Sequence, residues 1–298
     1  MAEITLLDGG LGQELVRRAG DAPTPLWSTR VMIDHPGLVQ AVHTAYFDAG
    51  ATVATTNTYA LHRDRLEAAG LEERFSDLHQ AALAEALAAR AKNGSGRVAG
   101  SIGPLRASYR PDLHPCHAEA VQSYAEIAVC VGPAVDLILC ETVASLAHAE
   151  AVLEGAQQAG KPVWIAFTLD DSDGQRLRSG EPVSACAEVA RDGGAQAILA
   201  NCSVPEVMGT ALEIFAEGEL PFGAYANGFT HIDSAFLQDA PTVDVLTARQ
   251  DLSPAAYTEF VMDWVRHGAT IVGGCCEVGP DHIRHLAQAL LGEGYELV

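Results

Sequence analysis

Two adjacent cysteines, Cys275 and Cys276, follow a glycine pair in the stretch IVGGCCEVGPDHI at residues 271–283. Vicinal cysteines rarely bond to each other, because the small ring that the disulfide would close is strained. Another cysteine, Cys202, ends the run AQAILANC. Three converging thiolates suit zinc, which binds four tetrahedral ligands and, with three from the protein, keeps one position for chemistry. We therefore predict a Zn²⁺ site at Cys202, Cys275 and Cys276, with the glycines allowing a tight turn that aims both later sulfurs at one point.

The open position of such a site indicates a thiol substrate. Three thiolates already quench the Lewis acidity of the metal, so the site is poor at making hydroxide and better suited to binding a fourth thiolate. Spacing alone leaves an alternative open, because the ligands come from distant runs and lack the C-x-x-C signature of structural zinc. The cysteines would then be small buried hydrophobes, which is the role that we assign to Cys130, Cys140 and Cys186.

Composition and charge narrow the partners and the compartment. The chain has 298 residues, 48% of them apolar and 19% charged, which is typical of a globular protein. Its 18 basic and 39 acidic residues give a net charge of −21, so we expect neither nucleic acid nor an anionic membrane surface as a partner. No apolar run reaches the ~18 residues of a membrane span, and MAEITLLDGG does not read as a signal peptide. An odd number of cysteines, seven, fits reduced thiols in the cytoplasm. The sequence does not decide between a monomer and a homo-oligomer.

Short apolar runs alternate with helical patterns along the chain. The runs cover residues 4–10, 51–59, 97–104, 135–142, 162–169, 195–202, 221–228 and 269–276. Strands that alternate with helices pair in parallel, and eight such units predict an α/β protein with a single (β/α)8 barrel, a TIM barrel, in one domain spanning 1–298. An open doubly wound sheet is the alternative, but DGGLGQEL does not match its G-x-G-x-x-G turn. The longest irregular pieces are predicted at 20–35 and 106–117.

Polar side chains end nearly every apolar run, where a barrel of this kind builds its active site. These candidates are Asp8, Gly9, Thr56, Asn57, Ser101, Glu141, Asn201 and Asn227. In a closed barrel the sixth and eighth strands have one strand between them, so Cys202 can meet the later cysteine pair. Asp8 can also serve only as a turn cap, and Asn201 can also only satisfy loop backbone groups. A purely structural role is less easily assigned to Glu141, because a carboxylate at the end of a buried strand needs a partner.

The motifs LDGGLGQEL, TTNTYA, SIGP, CETVAS, ANCS and GGCCEVGPDHI occur in an order that resembles the homocysteine S-methyltransferase family. The resemblance runs from about residue 8 to about residue 286. It implies a zinc-dependent (β/α)8 barrel whose metal ligands match Cys202, Cys275 and Cys276. It also implies that homocysteine is bound by residues that match Asp8, Gly9, Thr56 and Glu141, with Glu141 on the amino group. We add Asn201, the neighbour of Cys202, to the substrate-binding candidates.

The same resemblance implies methyl transfer from a small cationic donor to homocysteine, giving methionine. The stretches PLWS and TTNTYA favour a sulfonium donor such as S-methylmethionine or S-adenosylmethionine, with a betaine-like ammonium as the alternative. Trp27 and Tyr59 are expected to face the donor cation through cation–π contacts. No catalytic side chain is expected beyond the zinc-activated substrate thiolate. Two alternatives stay open: another thiol or selenol acceptor, and a non-catalytic barrel that binds zinc or thiols. The role of Glu277, next to the cysteine pair, is also open: donor selection or a cap on the following helix.

Overall fold

The computed structural model describes residues 2–20, 24, 26–237 and 245–298. Strands and helices alternate along it. The strands are β1 Glu3–Leu6, β2 Val53–Thr55, β3 Arg97–Ile102, β4 Leu137–Val143, β5 Val163–Phe167, β6 Leu169–Asp170, β7 Asp173–Leu177, β8 Ala197–Asn201, β9 Phe222–Tyr225, β10 Ile271–Val272 and β11 Glu296–Leu297. The helices are α1 Leu11–Ala19, α2 Trp27–Asp34, α3 Leu38–Ala49, α4 Arg63–Ala68, α5 Phe75–Asn93, α6 His117–Val131, α7 Leu146–Ala156, α8 Cys186–Asp192, α9 Pro205–Phe215, α10 Pro254–Arg266 and α11 Pro280–Gly292.

Within these described ranges, nine strands form one parallel sheet in the order β11-β1-β10-β9-β8-β5-β4-β3-β2. The α/β class and the parallel pairing of the predicted strands are therefore confirmed. The sheet curls until Leu7, just beyond β1, forms a parallel bridge with Val53 of β2. The peptide N–H of Asp8 donates to the Val53 carbonyl at 3.1 Å across the same junction. Two elements were not predicted: β11, and the antiparallel hairpin of β6 and β7.

The strands β2 to β5 and β8 to β10 are buried on both faces, as the continuous apolar runs indicate for a parallel sheet covered by helices. In β4, Leu137 and Leu139 belong to a cluster with Val53, Trp164 and other side chains of the inner face of the curl. The intervening Ile138 and Cys140 belong to the larger cluster that includes helix residues. This alternation with a period of two follows from strand geometry. Because side chains on both faces are fixed by packing, the polar residues at the strand ends are held in place by the core.

The predicted irregular segment 20–35 is wrong in its second half, because residues 27–34 form α2. The apolar periodicity of this helix is difficult to recognise in the sequence, because the helix is short and polar residues interrupt it. The segment 106–117 is irregular as expected, apart from a 3₁₀ turn at Pro111–Leu113. None of the described helices has the length and apolarity needed to cross a bilayer.

Candidate active site

A cavity of about 1030 Å³ opens at the carboxyl ends of the parallel strands. Most of the predicted polar side chains line it, as expected for a curled parallel sheet with helices outside it, but Asn201 and Asn227 do not. We call one side the strand-end wall; it consists of Asp8, Thr56, Glu141, Cys202, Cys275 and Cys276. A second set of lining residues, the loop wall, consists of Trp27, Tyr59, Arg65, Tyr109 and Phe236.

The cysteines predicted as metal ligands converge in the strand-end wall. Their sulfurs all lie within 4.8 Å of one another. The Sγ atoms of Cys202 and Cys276 are 3.8 Å apart, and the thiol of Cys275 donates to the sulfur of Cys202 at 2.9 Å. β8 and β10 have only β9 between them, so the spacing of the sheet brings these chain-distant thiols together. In the part of the chain that the structure describes, this is the only group of three or more Cys, His, Asp or Glu ligands with that geometry.

The backbone aims the sulfurs by hydrogen bonds to neighbouring strands. Cys202 adopts a left-handed conformation with φ 52° directly after β8, and its N–H donates to the carbonyl of Tyr225. The N–H of Cys275 donates to the carbonyl of Ala226 at 2.9 Å. Left-handed backbone at a non-glycine residue costs of order 1–3 kcal/mol and persists where the surroundings hold it. Strain is therefore stored at a ligand position.

The glycine pair before the cysteines does not act as predicted, because neither glycine is among the residues with positive φ. Gly274 instead provides space, since a Cβ there would lie 2.1 Å from the side chain of Val278. The turn itself is made at Glu277, which has φ 65°. The N–H of Val278 donates to the carbonyl of Cys275 at 3.1 Å, so Glu277 is at the third position of a type II turn, where glycine is favoured.

One thiol of the cluster is the preferred carrier of negative charge. Hydrogen bonds from Cys275 and Cys276 hold the pKa of Cys202 well below its usual range, and the same bonds to Cys202 raise the pKa values of both donors. The hydroxyl of Tyr109 also lies 2.9 Å from the Cys202 sulfur. A single thiolate shared by several donors is the expected state of a buried thiol cluster.

Asp8 lies at the start of the strand-end wall, with its carboxylate clamped by Thr55. The N–H and the hydroxyl of Thr55 donate to its two oxygens at 2.8 and 2.7 Å. Burial nevertheless raises the pKa of Asp8 to about 7. Burial also lowers the pKa of the neighbouring His43 to about 4, so this histidine, 4.0 Å away, is neutral and gives Asp8 no counter-charge. Within the described residues, Asp8 therefore has no cationic partner within 4.0 Å.

Glu141 of β4 is a second buried carboxyl in the same wall. It accepts hydrogen bonds from the hydroxyls of Ser101 and Tyr225, the latter at 3.2 Å. Burial raises the pKa of Glu141 to about 7, and the nearby charge of Cys202 contributes to the increase. Two carboxyls that are costly to ionise thus lie in one cavity next to the thiols.

Two residues predicted to bind the substrate, Asn201 and Thr56, use their side chains in hydrogen bonds within the wall. Asn201 is fully buried and does not line the cavity; it accepts from the N–H of Thr142 at 3.0 Å and donates to the Thr142 hydroxyl at 3.2 Å. It thereby ties the end of β8 to the residue after Glu141. Thr56 lines the cavity, but its hydroxyl is bonded to Thr58 and to the N–H of Ser101. Gly9 lines the cavity through its backbone.

The loop wall is aromatic. The rings of Trp27 and Tyr59 meet edge to face with centroids 6.5 Å apart, and those of Tyr109 and Phe236 lie 5.9 Å apart. The indole occupies the space that Gly12 leaves, because a Cβ there would be 2.6 Å from the ring. The predicted pair Trp27 and Tyr59 is therefore brought together in the loop wall.

Sequence reasoning missed some residues of the site. Thr55, Tyr225 and Tyr109 contact Asp8, Glu141 and Cys202, yet none was selected. Thr55 and Tyr225 belong to strands whose inward side chains could have been assigned from the period of two. Tyr109 carries no such signal, since it comes from the irregular segment 106–117 and has φ 63°.

The donor set fits a thiophilic metal ion. A tetrahedral site with Zn–S distances of about 2.3 Å separates its sulfurs by roughly 3.8 Å, which matches the 3.8 Å between Cys202 and Cys276. Cys275 is only half-buried, so its side chain has room to move and to lengthen the 2.9 Å contact between its sulfur and that of Cys202. Fold and site together define an α/β protein whose cavity combines buried carboxyls with a cluster of three thiols that could hold a metal ion.

Comparisons with known proteins identify the family. The family model described as homocysteine S-methyltransferase matches residues 5–290. A homocysteine S-methyltransferase from Escherichia coli (strain K12) is 30% identical over 95% of this chain and 94% of its own length. A selenocysteine Se-methyltransferase from Brassica oleracea var. italica is 25% identical over 96% of this chain and 88% of its own length. The crystal structure of the metallated homocysteine methyltransferase MmuM from E. coli matches with a TM-score of 0.81 at 26% identity, over 96% of both chains.

The chain belongs to the homocysteine S-methyltransferase family. It is accordingly an enzyme of methyl transfer to homocysteine, and the predicted family membership and enzyme class are confirmed.

Proposed function

We propose that this enzyme is zinc-dependent and moves a methyl group from a sulfonium donor to the sulfur of L-homocysteine, giving methionine. The observation that carries the proposal is the convergence of Cys202, Cys275 and Cys276 beside two buried carboxyls in one cavity. The three cysteines would hold the zinc ion. When bound, zinc would supply the Lewis acidity that makes the substrate thiol a thiolate at neutral pH.

The carboxyls of Asp8 and Glu141 bind the ammonium group of homocysteine. Both have pKa values raised to about 7 by burial, so a cationic ligand is needed to make their ionised forms favourable. Ser101 and Tyr225 hold Glu141 in place, and Thr55 holds Asp8. Asn201 positions the strand ends and, in this assignment, does not touch the substrate.

The reaction is an in-line displacement. The homocysteine sulfur forms a bond to the methyl carbon as the bond between that carbon and the donor sulfur breaks, and the donor leaves as a neutral thioether. The donor charge disappears during transfer, so the enzyme benefits from groups that tolerate a cation without clamping it. The faces of Trp27 and Tyr59 provide such groups, at roughly 0.5–2 kcal/mol for each cation–π contact.

We also infer the closure of the barrel, the number of domains and the cellular compartment. We infer a closed (β/α)8 barrel, supported by the bridge between Leu7 and Val53 that links the two ends of the curled sheet. Residues 1–298 would form one domain, supported by the single large apolar cluster that collects side chains from β1 to α11. A cytoplasmic location is supported by the free thiols of all seven cysteines.

The experiment is a panel of donors and acceptors tested with the zinc-loaded enzyme. S-methylmethionine, S-adenosylmethionine and betaine are each combined with homocysteine, and methionine formation is measured. We expect turnover with a sulfonium and little with betaine. The absence of methionine from any donor, in a protein that retains stoichiometric zinc, would favour the non-catalytic alternative.

Selenocysteine is the second acceptor in the panel. This alternative is favoured by the relative named selenocysteine Se-methyltransferase, which matches nearly the whole chain. A selenolate would meet the same thiol cluster and the same carboxyls, so competition between the two acceptors in one reaction decides the assignment. A higher kcat/KM for selenocysteine would overturn homocysteine as the preferred acceptor.

A further inference from the structure

Arg65 is the cation of the loop wall that lacks a carboxylate partner. Three arginines line the cavity: Arg30, Arg65 and Arg106. Arg30 pairs with Asp34 at 2.6 Å, and Arg106 pairs with Glu119 at 3.0 Å. No carboxylate of the described residues lies within 4.0 Å of an Arg65 nitrogen.

The guanidinium of Arg65 is held in place but keeps hydrogen-bonding capacity. Its Nη2 donates to the carbonyl of Pro104 at 2.9 Å, which orients the group. Its Nε is buried without a hydrogen-bond partner. The neighbouring Asp64 does not use that capacity, since its oxygens accept from the backbone N–H groups of Arg65 and Arg106. A half-buried guanidinium with free donors is an anion-binding group that matches a carboxylate.

The place of Arg65 in the cavity relates it to the methyl donor. Its guanidinium carbon lies 5.8 Å from the ring centre of Tyr59, and that ring meets Trp27 at 6.5 Å. The Tyr59 hydroxyl is also close enough to Cys202 for the charge of that thiol to raise the Tyr59 pKa. Tyr59 is therefore close to both the thiol cluster and the guanidinium. An onium group against the aromatic faces leaves Arg65 a few covalent bonds away.

We propose that Arg65 binds the carboxylate of a zwitterionic methyl donor and thereby sets the donor's orientation and selects donors that carry an acid group. This inference rests on the proposed function, because it assumes an onium donor. The guanidinium attracts the carboxylate and repels the onium centre, so the methyl group is directed to the strand-end wall. The cavity thus accepts a dipolar donor in one direction.

The test combines a change in the enzyme with a change in the donor. S-methylmethionine is compared with its carboxamide, which keeps the sulfonium and lacks the acid, in the wild type, Arg65→Gln and Arg65→Lys. The wild type should prefer the acid by roughly 10- to 100-fold in kcat/KM, the size of a charge-assisted hydrogen bond. Arg65→Gln should lose that preference through a weaker reaction of the acid, whereas Arg65→Lys should retain part of it. Homocysteine KM and zinc content should not change.

Arg63→Gln is the matched control, since Arg63 is on the same helix, outside the cavity and paired with Glu126. It should keep the wild-type preference. Binding of both compounds is also measured by calorimetry without homocysteine, so that the site is tested even if no methyl transfer occurs. An equal preference for the acid in Arg65→Gln and wild type, in either assay, would overturn the proposal. If the wild type binds the acid more tightly than the carboxamide but transfers no methyl group from it, the proposed function would be contradicted instead.

Discussion

Cys202 and Glu141 belong to the ends of β8 and β4, strands that are paired on both sides, whereas Trp27 and Tyr109 belong to segments outside the sheet. The first two have hydrogen-bond partners from neighbouring strands: Cys202 is bonded through its backbone to Tyr225, and Glu141 is bonded to Ser101. The aromatic residues are held mainly by ring contacts. The strand-end wall is therefore fixed by the sheet, and the loop wall by local packing.

This difference matches the demands of the two substrates. The acceptor sulfur must be delivered to one point, and positions at the ends of packed strands keep side chains within a fraction of an ångström. The donor that we propose would bring an onium charge, which aromatic faces bind with little directional demand. Apart from Tyr109, whose hydroxyl contacts the sulfur of Cys202, the loop wall can therefore change its shape and its donor without disturbing the thiol cluster. The largest effects of substitution should lie in the strand-end wall.

Cys275→Ala is the severest test of that wall. Removing one of three ligands should abolish zinc retention, and methyl transfer should fall more than about 10³-fold because thiol activation depends on the metal. Bound zinc in the purified protein and methionine formation are both measured. Cys130→Ala, on the outer helix α6, is the control and should keep both. Full activity of the Cys275 variant with stoichiometric zinc would contradict the assignment.

Glu141→Gln should affect the acceptor alone. The substitution keeps the shape of the side chain but removes the charge opposite the ammonium group, so homocysteine KM should rise roughly 10- to 100-fold. The donor KM should stay within about twofold on the same reasoning. Steady-state kinetics with each substrate varied separates the two values, and the exposed Glu154→Gln on α7 is the control. Equal increases in both KM values would show that the two walls are not independent.

The pH dependence of homocysteine binding provides a third test. Because the pKa of Glu141 is raised to about 7, the carboxylate that pairs with the ammonium group forms as the pH rises through about 7. Homocysteine KM should therefore fall by about tenfold between pH 6 and pH 8, since each unit below a pKa reduces the ionised fraction tenfold. Asp8 titrates in the same range, so the profile belongs to the pair. In Glu141→Gln the fall should be smaller, and an unchanged profile would exclude Glu141 as its source.

The stability of the free enzyme should change in the opposite direction. A carboxyl whose pKa is raised on folding stabilises the fold below its unfolded pKa, and this contribution is lost as the pH rises through the folded value. For Glu141 the window runs from about 4.5 to about 7. Chemical denaturation across this window should show a smaller loss of stability in Glu141→Gln than in the wild type. The same ionisation thus weakens the free fold and strengthens acceptor binding.

Trp27→Leu tests the loop wall and should have a smaller effect. Loss of the aromatic face should lower kcat/KM for a sulfonium donor by roughly 2- to 30-fold, the range of one cation–π contact. Homocysteine KM and zinc content should be unchanged. Trp27→Phe keeps a ring and should retain most of the activity. A large change in zinc content would show that the loop wall also supports the metal site.

The two walls also differ in how far the sequence predicts them. Asp8, Glu141 and Cys202 follow apolar runs, and the rule that parallel strands gather their carboxyl ends places such residues together. Tyr109 reaches Cys202 from an irregular segment in a left-handed conformation, and no periodicity marks it. Arg65 is distinguished only because no carboxylate of the described residues lies within 4.0 Å of its guanidinium nitrogens, which depends on where every neighbouring side chain lies.

The turn after the cysteine pair shows the limit of local interpretation. GGCC indicated a glycine-driven turn, yet the left-handed position is Glu277, which neither lines the cavity nor caps α11, whose first residue follows Gly279. Glu277 is therefore placed neither for donor selection nor as a helix cap; it occupies the left-handed position of the turn. Which residue occupies the turn depends on the register of β10 against β9 and β1, and the motif alone does not specify that register.

Glu277→Gly should give the smallest effect and separates strain from function in the strand-end wall. Glycine removes the cost of a left-handed Cβ, partly offset by the larger entropy of the unfolded chain, so the free energy of unfolding should rise by up to about 1 kcal/mol. Zinc affinity should stay the same, because the N–H groups of Cys275 and Gly274 donate to the carbonyls of Ala226 and Asp8 and so hold the backbone in place. Denaturation and zinc competition measure the two quantities. Weaker zinc binding in the more stable variant would show that the strain at Glu277 itself sets the position of the thiols, and that the wall is fixed by its turn as well as by its strands.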